Sequence, residues 1–235
     1  MSYLDVASGN VVSNLSVDQR AGFIRRTYGH LAMSIAFMAV SCAFLLQIGA
    51  GPVLLSFLSG GMLNYLIYFG LFVGAGVLAD NWARSEHSLT MHYVALLGYA
   101  FVEAVIVLPL LYIATLYNPA AIMDAALTTA AMVTGLTYIA FTTKKDFSFM
   151  GPFLAVGSII AIGTCIAGAI FGFELGLFAI GGIVLLSAGW VLWSTSNILH
   201  VYQEHQHVAA ALGLFASIAL MFRFVLQMFM MFGDD

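Results

Sequence analysis

Between Arg26 and Asp80 more than fifty consecutive residues contain no Asp, Glu, Lys or Arg. No soluble domain of this size keeps such a stretch in water, so the feature commits the chain to lipid. The rest of the sequence agrees: 62% of residues are hydrophobic, 8% are charged and the mean hydropathy is +1.01. These values belong to polytopic membrane proteins.

A hydrocarbon core about 30 Å thick is crossed by roughly 20 helical residues, each adding about 1.5 Å. Seven stretches meet that requirement, at 28–48, 62–79, 90–116, 125–143, 147–171, 175–199 and 208–232. They are continuously apolar rather than alternating with period two, which selects helices over a membrane β-barrel. The separators are brief and carry breakers or charges: Gly49-Ala50-Gly51-Pro52, Ser59-Gly60-Gly61, Asn118-Pro119, Lys144-Lys145-Asp146 and Gly172-Phe173-Glu174. The expected fold is therefore an all-α, seven-helix transmembrane bundle at 27–235, preceded by a short tail at 1–26. Small residues four apart, as in Gly70 to Gly74 and Gly168 to Gly172, are read as close helix packing.

Charge bias orients the bundle. Arg20, Arg25 and Arg26 precede the first span, Arg84 follows the second, and Lys144 and Lys145 follow the fourth; the alternate connections contain no Lys or Arg. The positive-inside rule then predicts a cytoplasmic amino terminus and, after seven crossings, Gly233-Asp234-Asp235 outside. The first 26 residues lack the apolar core of a cleavable signal peptide. Ser16-Val17-Asp18-Gln19 has the form of a capping box. Two readings of the segment after it stand open: a short amphipathic helix on the inner surface, or a flexible tail. Cys42 and Cys165 fall inside spans and are expected to pack as small core residues, unpaired.

Ionisable groups at membrane depth usually face the bundle interior. Glu103 in the third span and Arg223 in the last are the two candidates; Arg223 either snorkels to the nearer interface, roughly 13 Å along the axis, or meets a buried partner, for which Glu103 is the acidic residue at similar depth. Three readings of Glu103 remain: a neutral structural carboxyl, an ion pair with Arg223, and a proton or cation site. The sixth span ends on Ser194, Thr195, Ser196 and Asn197, hydroxyls and an amide that serve first as interhelical glue and second as an ion path. Beyond them, His200, Glu204, His205 and His207 crowd one loop. No tight metal-ligand spacing is present, so the loop is read as pH-responsive rather than metal-binding.

Several chemistries are excluded. Both lysines lie in one loop, so no Schiff-base lysine is available within a span. There is no Gly-x-Ser-Gly nucleophile elbow, no pair of aspartates at depth and no phosphate-cradling glycine loop. No catalytic role, cofactor, metal centre or nucleic-acid partner is expected; the surrounding partner is the lipid bilayer.

The segment from Tyr138 through Lys144-Lys145-Asp146-Phe147-Ser148-Phe149 resembles the fourth-to-fifth connection of the Bax inhibitor-1, or transmembrane Bax-inhibitor-motif, family. Leu192-Trp193-Ser194-Thr195-Ser196-Asn197-Ile198-Leu199-His200 resembles that family's sixth-span motif, particularly in its proteobacterial branch, and 212–232 with the acidic tail resembles its last helix. The resemblance implies seven helices with the last at the centre and, in some members, a pH-sensitive calcium leak gated by aspartates on the sixth and seventh helices. Here both of those positions are serines, Ser194 and Ser217. A serine neither attracts a hard cation by charge nor titrates near neutrality, so the gated mechanism does not transfer. For the bacterial branch the resemblance implies an inner-membrane regulator of membrane-protein quality control or stress tolerance, acting through a membrane-anchored ATP-dependent protease. The alternative is a calcium or proton leak past Glu103 and the polar end of span six.

Overall fold

The computed structural model describes residues 11–84, 89–143, 145–172 and 175–232. Lys144, Glu174, the tail at 1–10 and the acidic residues Asp234 and Asp235 lie outside them. The described residues form eight helices: α1 (Val17–Gln47), α2 (Ala50–Ser59), α3 (Met62–Arg84), α4 (Leu89–Tyr117), α5 (Ala120–Thr143), α6 (Gly151–Phe171), α7 (Leu177–His200) and α8 (His207–Phe232). All but α2 are long and apolar enough to cross a membrane, giving seven spans.

Helix α1 starts where the sequence says it should. Ser16 accepts a hydrogen bond from the Gln19 backbone N–H, and the Gln19 side chain accepts one from the Ser16 N–H, completing the capping box. The helix then runs unbroken to Gln47, through the point at 26–27 where the sequence changes from polar to apolar. Gly49 ends it with φ 77°, a left-handed conformation that suits glycine. The next connection is itself a helix, α2. Gly51 lets it lie on α4, because a Cβ there would sit 2.8 Å from the Tyr112 ring.

Besides the start of α1, at Val17 rather than 28, two expected boundaries shift, each at an acidic residue. Helix α5 begins at Ala120, not 125: Asn118 caps it by accepting from the Ala121 N–H at 3.3 Å, and Asp124, past the first turn, is carried on the exposed side of the helix. Helix α3 continues past Ala79 to Arg84, so Asp80 lies within a helix rather than beyond one.

Helix α8 is the centre of the bundle, packed against α1, α3, α4, α5 and α7. In its most apolar stretch 67% of residues are buried, and in α4 61%, against 6% in α3 and α6. Helix α6 attaches mainly to α7, where Gly157 and Gly189 make room; a Cβ at either would meet Leu186 or Leu154 at 2.7 and 2.6 Å. The expected packing role of Gly70 and Gly74 is not found, since a Cβ at either would meet nothing within 4 Å. Gly172 instead caps α6 at φ 71°. Spacing alone does not say which face of a helix meets a neighbour.

The stretch before α1 is anchored. Val12 is fully buried, its N–H donates to the Tyr202 carbonyl at 3.1 Å, and Val11 forms a β-bridge with Gln203. Val11, Val12 and Leu15 among polar residues give no helical or strand pattern from which this docking could be read. It ties the amino-terminal segment to the connection between α7 and α8, at the end of the bundle that carries Arg20, Arg25, Arg26 and Lys145.

Candidate functional site

The polar end of α7 does two separate things. Ser194 faces α8, where its Oγ lies 3.0 Å from Ser217 Oγ. Ser217 donates its proton to the Gly213 carbonyl one turn earlier, at 2.9 Å, so Ser194 donates to Ser217 and the chain closes without a stray proton. Both side chains are buried. Helices α7 and α8 are thus joined by an uncharged hydrogen-bond chain at the positions where the resemblance implied an acid pair.

Thr195 is completely buried and donates to the Val191 carbonyl at 2.7 Å, so it serves its own helix. Ser196 and Asn197 reach outward to the segment before α6. Ser196 Oγ accepts from the Phe147 N–H at 3.0 Å, Asn197 Oδ1 accepts from the Ser148 hydroxyl at 3.2 Å, and the Trp193 ring N–H donates to the Ser148 carbonyl at 3.3 Å. The two sequence blocks most characteristic of the resemblance therefore bind each other. Ser148 also donates its backbone N–H to Asp146 Oδ1 at 2.8 Å. Its hydroxyl and backbone together hold the Asp146 carboxyl below the usual aspartate range.

Glu103 is buried, and its carboxyl accepts the Tyr99 hydroxyl proton at 2.6 Å. Tyr99 packs edge-on against Phe215 of α8, at 86° and 6.1 Å between ring centres. Among the described residues Glu103 and Arg223 form no ion pair. Arg223 is half-buried on the wall of a cavity of about 500 Å³, its guanidinium 5.9 Å from the Phe224 ring. Helices α3, α6, α7 and α8 enclose that cavity, with Asp80 and Trp193 toward the basic end and Tyr65 and Arg223 toward the other. Glu103 is not one of the residues lining it.

The histidines do not act as one loop. His200 closes α7, its Nδ1 bonded to the Ser196 carbonyl at 2.9 Å, which makes that nitrogen the protonated one. His205 is exposed. His207 turns inward to pack against His30 of α1, with ring centres 5.1 Å apart and planes tilted by 52°, and His30 Nε2 in turn meets the Tyr93 hydroxyl of α4 at 2.9 Å. His30 and Tyr93 lie far from the loop in sequence and carry no local signal linking them to it. Among the described residues no three His, Cys, Asp or Glu side chains are grouped to hold a metal ion.

Known proteins match along nearly the whole chain. The family model described as inhibitor of apoptosis-promoting Bax1 covers residues 20–234. A Golgi anti-apoptotic protein of vaccinia virus (strain Lister) is 27% identical over 95% of this chain and 91% of its own. An uncharacterized Pseudomonas aeruginosa protein is 29% identical over 92% and 91%, and mouse protein lifeguard 4 is 26% identical over 95% and 90%. With seven spans around a central last helix and a family match over almost its full length, the chain belongs to the Bax inhibitor family of multi-pass membrane proteins.

Proposed function

We propose that this protein is a non-catalytic regulator that acts by binding partners, protecting the cell in membrane-protein quality control or stress, with a membrane-anchored ATP-dependent protease as its partner. The observation that carries this reading is the Ser194–Ser217 hydrogen bond of 3.0 Å, an uncharged link between α7 and α8. A calcium path there would need carboxylates, because a hard cation is held by charged or multiple oxygen ligands. Arg223 on the cavity wall adds a fixed positive charge that opposes cation entry. The names of two relatives, an anti-apoptotic protein and a lifeguard protein, fit a protective role. By the charge bias, the end carrying exposed Arg25, Arg26 and Lys145 is cytoplasmic and offers the contact surface, in a bacterial inner membrane.

The test has two arms. Protein reconstituted in liposomes should pass no more calcium or protons than empty vesicles between about pH 5 and 8, the range in which histidine titrates. Capture of the protease on the immobilised protein should be lost when residues 1–10 are removed, a cut that spares the buried Val12. A calcium or proton flux that Glu103→Gln abolishes would transfer the argument to the leak, and protease capture unchanged by the deletion would remove the tail from the interaction.

A further inference from the structure

The cavity beside Arg223 is built from one face of each helix around it. Helix α3 contributes Tyr65, Phe69, Phe72, Gly76 and Asp80, at helical spacings of three and four. Helix α6 contributes Ala161, Ile162 and Cys165, and α8 contributes Gly213, Ala216 and Leu220, so small residues alternate with large ones and leave the space open. A volume of about 500 Å³ is that of a small-molecule site, and one alkyl chain suits it better than a two-tailed lipid.

Most of the polar groups on the wall are already engaged. The Trp190 ring N–H donates to Ser158 at 3.0 Å, and Ser194 and Ser217 satisfy each other. Asp80 is also engaged and sits at the far end, about 22 Å along α3 from Tyr65 at 1.5 Å per residue. Arg223 is different. Its guanidinium offers five N–H donors and a permanent charge, and among the described residues it forms no hydrogen bond or ion pair: Glu103 lies within electrostatic reach, but its carboxyl accepts from Tyr99, and the close contact is the adjacent Phe224 ring. A charge held at membrane depth calls for an anion.

We propose that this cavity binds a single-chain anionic lipid, of the long-chain fatty acid class. Its carboxylate pairs with Arg223, and its chain runs toward the basic end past Phe69, Phe72 and Leu186. Helices α3 and α6 flank the opening, touch each other only slightly and are the least buried spans, so the ligand enters from the bilayer by parting them. The site stands or falls independently of the protease.

Two of the three tryptophans, Trp190 and Trp193, line the cavity and report on it. A stearic acid carrying a nitroxide at mid-chain, added to the protein in phosphatidylcholine nanodiscs, should quench tryptophan fluorescence saturably. Arg223→Gln should weaken that binding about tenfold or more, the effect of losing a charge-assisted hydrogen bond, while Arg223→Lys stays within about threefold. The methyl ester of the probe should bind the wild type about as weakly as the acid binds Arg223→Gln. Ala161→Phe fills the cavity with Arg223 left in place and should abolish the saturable component, which keeps the proposal testable if Arg223→Gln does not fold. Quenching that never saturates, equal affinity for acid and ester, or full binding by Ala161→Phe would each overturn it.

Discussion

Helices α8 and α6 are equally apolar, with mean hydropathies of 2.1 and 2.0 in their best windows, yet 67% of one and 6% of the other is buried. The same contrast separates α4, at 2.3 and 61%, from α3, at 1.8 and 6%. Hydropathy states that a helix enters lipid. It does not state whether the helix then meets lipid or protein, because tails and apolar side chains are alike as solvents. In the central pair small and polar residues are enclosed by neighbouring helices: Ala209, Ala210, Ala211 and Ser217 in α8, and Ala100, Glu103 and Ala104 in α4, all buried.

The sharpest way to break this distinction is to remove a ring from each class. Phe215 on α8 is 1% exposed and fills the centre, so Phe215→Ala should lower stability by about 3 to 5 kcal/mol, measured by unfolding in mixed micelles. Phe153 on α6 is 75% exposed, and Phe153→Ala should change stability by no more than about 0.5 kcal/mol. Similar losses in the two would mean that α6 is covered by protein in the membrane.

A second comparison stays within the centre and asks what Glu103 contributes. An amide oxygen accepts the Tyr99 proton as a carboxyl does, so Glu103→Gln should leave stability within about 0.5 kcal/mol of wild type. Glu103→Leu strands the buried Tyr99 hydroxyl and should lose about 1 to 3 kcal/mol. If Glu103→Gln proved as damaging as Glu103→Leu, the charge itself would be what matters, and an ion pair with Arg223 would have to form in the membrane.

Glycines test the peripheral contacts. Gly189→Ala at the α6–α7 seam drives a Cβ to 2.6 Å from Leu154 and should lose about 1 to 3 kcal/mol. Gly70→Ala on α3 meets nothing and should be neutral or stabilise by up to about 1 kcal/mol through helix propensity. Reversal of that order would show that α3 has a partner on its outer face.

The sequence carries some of these features openly and hides others for physical reasons. The spans, the Ser16 cap and the role of Ser196 and Asn197 as glue follow from length, local spacing and the poor solvation of hydroxyls in lipid. Asp80 and Asp124 misled the boundaries, because a charge reads as a helix end although a helix can carry it one turn inside. The approach of His207 to His30, the seating of Val12 under Tyr202 and the choice of Gly157 and Gly189 over Gly70 and Gly74 are long-range facts. They depend on which helix faces meet, and one-dimensional spacing is the same whether a face meets lipid or protein. The exchange of an acid pair for serines was visible only against the family pattern, and the geometry adds that the two hydroxyls bond directly.

The smallest expected effect concerns how peripheral α6 is held at its basic end. Asp146 fixes Ser148, and Ser148 engages Asn197 and Trp193 on α7, so this exposed carboxylate supports the junction at one remove. Hydrogen bonds from the Ser148 side chain and backbone lower its folded-state pKa below the ordinary aspartate value. A depressed carboxylate pKa contributes stability that is fully present above the unfolded value, near pH 4, and is lost as pH falls through the lower folded value. Thermal unfolding of wild type and Asp146→Asn should therefore differ slightly at neutral pH, with the wild type higher, and converge in acid. Because the group is exposed, solvent screens it and the neutral-pH gap should be far smaller than that between Phe215→Ala and wild type. A gap that persisted unchanged in strong acid would show that the charge plays no part, leaving the side-chain oxygen alone to order the turn between α5 and α6.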